Sequence, residues 1–186
     1  MIATLVGLLI ANQQASLLPQ KSLMLKVKDS AGTMQQIPQP ERKATLLFIV
    51  AVDCPIANRL APEIARIIKE YDKQSVQSLL VYPDFSRKSS EVAKHLKEFG
   101  LGAPGVIDVK HALVKATGAT VTPQAVIINA KGKVVYLGRI NDLFEEHGKT
   151  NPKPKSADLR DALDQFLAGK PIKNPVTQAV GCYINP

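Results

Sequence analysis

Apolar side chains recur along this chain with two periods, and the places where one period gives way to the other mark out its elements. In "SLMLKVKDSAG" (22–32) Leu23, Leu25 and Val27 alternate with polar neighbours and then meet a turn signal, the pattern of a half-exposed strand. "QQIPQPERK" reads as a loop. "ATLLFIVAV" (44–52) is unbroken apolar sequence of strand length, as expected of a central strand covered on both faces. Beyond Pro55 the period changes. Leu60, Ile64, Ile67, Ile68 and Tyr71 fall on one helical stripe while Glu63, Arg66, Lys69 and Glu70 take the other face, so an amphipathic helix is predicted from about Cys54.

The alternation continues to the C-terminus. "VQSLLVYPD" (76–84) reads as a second buried strand, and "SSEVAKHLKEFG" as a helix with Val92, Leu96 and Phe99 inward and Gly100 as its stop. "GVID" and "KHALVKATGA" predict a short strand and a short helix. "TPQAVIINAKGKVVYLGRI" (122–140) is two apolar runs around a Gly-containing turn, a hairpin. "EEHGKTNPKPKS" reads as a polar loop, and "SADLRDALDQFLAGK" as a last helix with Leu159, Ala162, Leu163, Phe166 and Leu167 on one stripe. The Pro-bearing tail after Gly169 is expected to be extended. This order predicts an α/β domain whose sheet mixes parallel and antiparallel neighbours, with helices on both faces and no internal repeat.

At 186 residues the chain can bury one sizeable core. Its net charge of +8 comes from dispersed lysines and arginines that do not interleave with aromatics, which argues against nucleic-acid binding and leaves a soluble basic surface able to meet anionic envelopes or acidic partners. The apolar stretch Ile2 to Ala11 is too short to span a bilayer and resembles the core of a secretory leader, with Ala11 and Ala15 as candidate cleavage positions and no Lys or Arg before it. Residues 1–15 are therefore expected to be a signal peptide and the protein to be periplasmic or secreted; a first buried strand is the other reading. Two cysteines suit an oxidising compartment.

The first of them, Cys54, sits where the central strand turns into the helix. A cysteine at a helix start meets unsatisfied backbone N–H groups and the positive end of the helix dipole, which favour the thiolate. Pro55 fits the first helical position, where no N–H is needed. Asp53 opposes this effect, because a neighbouring carboxylate disfavours a thiolate.

A strand ending in "DCP", then a helix, then "VTP" opening a hairpin some seventy residues on resembles the thioredoxin-like redoxins. The likeness is to the AhpC/TSA and TlpA-like group, and more narrowly to exported bacterial redoxin-domain proteins with a "DCPIANR" segment. It implies a thioredoxin-like three-layer sandwich over residues 20–170, with 171–186 as an extended tail, and a cis Thr122–Pro123 bond opposite Cys54. It also implies thiol–disulfide or thiol-peroxidase chemistry on protein thiols, disulfides or peroxides, with no cofactor. Asn58, Arg59 and Arg139 join Asp53 and Pro55 as candidate surroundings of the thiol, the arginines being candidate thiolate or substrate partners or ordinary surface residues.

Three departures narrow the chemistry. The third residue after Cys54 is Ala57, which excludes a dithiol within one helical turn. Leu47 and Ala51 stand where a peroxiredoxin carries Pro and Thr or Ser, which weakens a hydroxyl-assisted peroxide site. Asn58 replaces the second cysteine of a Sco-type copper site, and His95, His111 and His147 are scattered and read as surface residues, so no metal site is expected. Cys182 remains as a possible resolving thiol; a permanent Cys54–Cys182 disulfide, or an unpaired Cys182, are the alternatives.

Overall fold

The structure, a computed structural model, describes residues 16–184. The expected leader at residues 1–15 lies outside them. Its centre is a five-stranded sheet in the order β5-β4-β3-β7-β8, formed by β3 (Ala44–Ile49), β4 (Val76–Tyr82), β5 (Gly105–Ile107), β7 (Gln124–Asn129) and β8 (Val134–Gly138). β4 pairs parallel to β3 and β5 parallel to β4, whereas β7 runs antiparallel to β3 and β8 antiparallel to β7. The sheet is therefore mixed. β3 occupies its centre, and every one of its residues is buried, as its unbroken apolar sequence requires.

The two faces of β3 serve two cores. Leu46 and Phe48 pack with α1 (Pro55–Asp72) and with α4 (Asp158–Leu167), and Val92 of α2 (Ser89–Glu98) joins them. Leu47 and Ile49 point the other way, towards Leu113 and Val114 of α3 (Ala112–Thr117) and Ile37 of an N-terminal hairpin. The result is the predicted three-layer sandwich. On α1 the buried stripe is Ile56, Leu60, Ile64, Ile67, Ile68 and Tyr71, and the Tyr71 hydroxyl donates to Asp164 Oδ1 at 2.7 Å, tying α1 to α4.

Three polar segments differ from expectation. The strand expected over 22–32 is confined to β1 (Leu25–Lys28), and the loop after it contains β2 (Met34–Ile37), which pairs antiparallel with β1. Polar residues form this second strand because Gln35 is bonded through its side chain to Asp29, and Ile37 is its one fully buried anchor. The expected loop 145–156 likewise holds a small hairpin, β9 (Phe144–Glu146) with β10 (Lys149–Thr150), turning at Gly148 with φ +81°. The C-terminal segment is extended as expected but ends in a strand, β11 (Cys182–Tyr183), laid antiparallel on β6 (Val121–Thr122). No helix among the described residues is long and apolar enough to cross a membrane.

Candidate functional site

The site is built where β3 ends. The chain leaves the sheet after Val50, and Cys54 becomes the N-cap of α1 with Pro55 in its first turn. Cys54 is 2 % exposed. Its thiol donates to the backbone oxygen of Thr122 at 3.0 Å, and the Thr122–Pro123 bond is cis. The β6–β11 register puts Cys182 directly opposite Thr122, so the tail brings the second sulfur to the first. Both cysteines are free thiols, and the Cys182 side chain lies near enough to Cys54 to lower its pKa.

Burial pushes the Cys54 thiol up, but the Cys182 side chain, the N–H of Ala57 three residues into α1, the Cys182 backbone and the Thr122 side chain act against it, and the net displacement is below the ordinary thiol range. Cys182 moves the other way, to about 11, through burial, its bond to Cys54 and the nearby charges of Cys54 and Asp53. One proton shared between two sulfurs accounts for both directions: Cys54 ionises first and Cys182 holds the proton.

The expected opposition of Asp53 is largely compensated. Its carboxylate is exposed and paired with Arg87 at 2.7 Å, and the same guanidinium bonds Asp84 at 2.8 Å. Arg87 is thus the cation that pairs with the carboxylate next to Cys54 in sequence. Arg59 is exposed and makes no ion pair among the described residues, and Arg139 donates from two guanidinium nitrogens to Asp158 in the first turn of α4, with neither lining the cleft over the thiols. That cleft, about 430 Å³, is bordered by Asp53, Phe85, His111, Cys182 and Tyr183, of which Phe85 (74 % exposed) and Tyr183 (77 %) are large apolar side chains standing in solvent.

Two histidines expected on the surface are buried instead. His95 accepts or donates at both nitrogens, 2.9 Å from the Tyr82 hydroxyl and 2.9 Å from Asn58 Oδ1, while Asn58 Nδ2 donates to Val52 O at 3.0 Å. Asn58 therefore has the predicted place near Cys54, but it acts on the backbone before the cysteine and not on its sulfur. His111 reaches Pro83 O at 3.1 Å and borders the cleft. The apolar helical spacing of Val92, Leu96 and Phe99 with His95 between them was the available signal for the first; for Phe85, Arg87 and Tyr183 no sequence signal distinguishes them from surface residues. Among the described residues no three His, Cys, Asp or Glu side chains gather as a metal site.

Burial lowers the His95 pKa, so the folded state resists a proton that the unfolded chain takes up near the ordinary histidine value. Stability is then lost as pH falls from about 6.5 towards the lower folded value. In urea titrations, His95→Phe is expected to lower stability by about 1–3 kcal/mol at neutral pH, since it leaves Asn58 and Tyr82 unmatched, and to flatten the loss between about pH 6.5 and pH 5.

Known proteins share this architecture. The chain is 24 % identical over 130 residues to the thiol-disulfide oxidoreductase ResA of Halalkalibacterium halodurans, covering 68 % of this chain and 73 % of that one. Its fold matches a hypothetical protein of Sinorhizobium meliloti with a TM-score of 0.78 at 23 % identity, over 90 % of this chain and 93 % of the other. An uncharacterized conserved protein of Geobacillus kaustophilus matches with a TM-score of 0.79 at 21 % identity, over 91 % and 92 %. The AhpC/TSA family profile matches residues 19–137, which include β1 to β7, all of β8 but its last residue, Cys54 and the Thr122–Pro123 bond: the chain belongs to the AhpC/TSA family.

Proposed function

We propose that the protein is a thiol–disulfide oxidoreductase of the cell envelope in which Cys54 is the nucleophile and Cys182 the resolving thiol. The observation that carries this reading is the β6–β11 pairing, which lays Cys182 opposite Thr122, the residue whose backbone oxygen accepts from the Cys54 thiol, and the opposite pKa displacements of the two thiols agree with Cys54 as the one that ionises. The Cys54 thiolate attacks one sulfur of a protein disulfide, the substrate S–S bond breaks, and a mixed disulfide forms. The departing thiolate takes the proton of Cys182. The new Cys182 thiolate attacks Cys54 Sγ and expels the second substrate thiolate, which is protonated by water. The substrate gains two electrons as a dithiol, the Cys54–Cys182 pair becomes a disulfide, and a reducing dithiol partner restores it.

Disulfides are favoured over peroxides because Ala51, which borders the cleft, supplies no hydroxyl. The envelope location is supported by the leader-like residues 1–15 and by the use of a disulfide-forming pair. With the tail seated, Cys54 is sealed, so a protein substrate requires residues 181–184 to lift from β6. Two paired residues and the Ile184 N–H bond to Thr120 O (3.0 Å) hold them there.

Turnover of insulin disulfides with a dithiol donor tests the reading. The reduced protein is expected to accelerate insulin reduction, Cys54→Ser to lose this by about a thousandfold or more, and Cys182→Ser to accumulate a mixed disulfide at Cys54. Equal activity of the Cys54→Ser variant and the native chain would assign the fold a binding role with a structural Cys54–Cys182 bridge instead.

A further inference from the structure

A cleft larger than the one over the cysteines lies elsewhere on the molecule. It holds about 690 Å³ and opens at the other end of the sheet, between the C-terminal turns of α1, the start of β4 and the 100–104 loop. Cys54 lies beyond the C-terminal end of β3, whereas Ser78 in this cleft is the third residue of β4, which runs parallel to β3 from the opposite end. The two clefts share no residue.

Its walls combine charge with apolar surface. Arg42, Arg66, Lys69 and Lys73 border it against a single carboxylate, Asp72. Arg42 is engaged by Asp72 at 3.1 Å and Arg66 by Glu63 at 2.7 Å, but Lys69 and Lys73 make no ion pair among the described residues. They stand four residues apart, Lys69 in the last turn of α1 and Lys73 at its C-cap, a spacing at which like charges repel. The negative end of the α1 dipole accounts for only about half a charge of this excess. Ile68 and Pro104 supply the apolar part of the wall.

A second, independent feature points into the same cleft. Ser78 is 8 % exposed and borders it, and its hydroxyl is the one buried side-chain polar atom among the described residues without a hydrogen-bond partner. The polar residue before it follows the usual rule: Gln77 accepts from Thr45 at 2.8 Å. A buried hydroxyl is costly to leave unmatched, and a strand with β-sheet partners on both sides has no need of serine there. Gly102 in the facing loop leaves the entrance open, since a Cβ built on it meets nothing within 4 Å.

We propose that this cleft is a binding site for a small organic anion, a carboxylate or phosphate on an apolar body, with Lys69 and Lys73 at the anionic group, Ile68 and Pro104 along the body and Ser78 donating its hydroxyl. The volume lies in the range of small-molecule sites, and the mixed lining suits an amphipathic ligand better than a bare inorganic ion. Occupancy would be independent of the cysteine pair, because no side chain serves both.

Amide NMR titration of the full reduced chain with adenosine monophosphate and, separately, with decanoate tests the proposal. At least one probe is expected to shift the amides of Ser78, Gly100 and Gly102 saturably, with a Kd below about 1 mM that weakens with added salt, and to leave Cys54 and Thr122 in place. The probe that binds identifies the anionic group as phosphate or carboxylate. The double variant Lys69→Gln, Lys73→Gln is expected to weaken binding at least tenfold, and Gly102→Phe, which fills open space without backbone strain, to abolish it. Absence of saturable shifts with both probes, or shifts that persist unchanged in Gly102→Phe, would overturn it, and neither result bears on the oxidoreductase reading.

Discussion

Oxidation of Cys54 and Cys182 to a disulfide is expected to raise the unfolding free energy by about 5 kcal/mol over the reduced protein. The bridge would close a loop from residue 54 to residue 182, and the entropy removed from the unfolded state grows with the logarithm of loop length. The native state bears little of the opposing strain, because the tail already lies in register on β6 with Cys182 opposite Thr122, the residue that Cys54 bonds. For a domain of this size the gain corresponds to a rise in Tm of roughly 10 °C or more. Calorimetry of the two redox forms measures it, and equal Tm values would mean that the sulfurs do not join.

Gly181→Ala is expected to slow formation of that bridge by about a hundredfold or more while changing global stability little. A Cβ at residue 181 would stand 2.2 Å from Thr122 O and 2.6 Å from its carbonyl carbon, backbone atoms that cannot yield, so the tail must leave β6. The anchor upstream survives: Thr177 Oγ1 still meets the Tyr136 hydroxyl at 2.8 Å and the Arg139 N–H at 3.0 Å, and Leu137 N still donates to Pro175 O. Cys182 then remains near Cys54 but loses its aligned approach, and intramolecular reactions owe most of their rate to alignment. Stopped-flow thiol quenching after a pulse of oxidised glutathione follows both steps. Attack by Cys54 should be unchanged or faster and resolution by Cys182 slower; a slowed first step with normal resolution would contradict the assignment of roles.

What could be read from sequence was set by local chemistry. The strand-to-helix change at Cys54, the stripe on α1 and the Pro-led hairpin are encoded by side chains that touch their own element, and the structure has each where the pattern places it. The path of the tail was not legible in this way. Its extended form follows from Pro171 and Pro175, but its direction depends on Thr177 fitting against Gly138 and on Gly181 clearing Thr122, contacts between residues about forty and sixty positions apart. β2 and β9 were hidden for a related reason: each is three or four residues long with two polar residues, too short for a period to show, and cross-strand pairing holds them. His95 reads as a surface histidine by composition and became buried because Tyr82 and Asn58, from a strand and another helix, satisfy both ring nitrogens. Arg139, a candidate partner of the thiolate or substrate by residue type, is paired with Asp158 at the start of α4, a contact across about twenty positions that no local pattern announces.

The pairing of Cys54 with Cys182 is tested most directly by non-reducing peptide mapping after the reduced protein has reacted with one equivalent of oxidised glutathione. The geometry predicts a single intrachain Cys54–Cys182 link with both glutathione molecules released. Cys54 recovered only as a mixed disulfide with glutathione, or joined to another chain while Cys182 remains a free thiol, would contradict it.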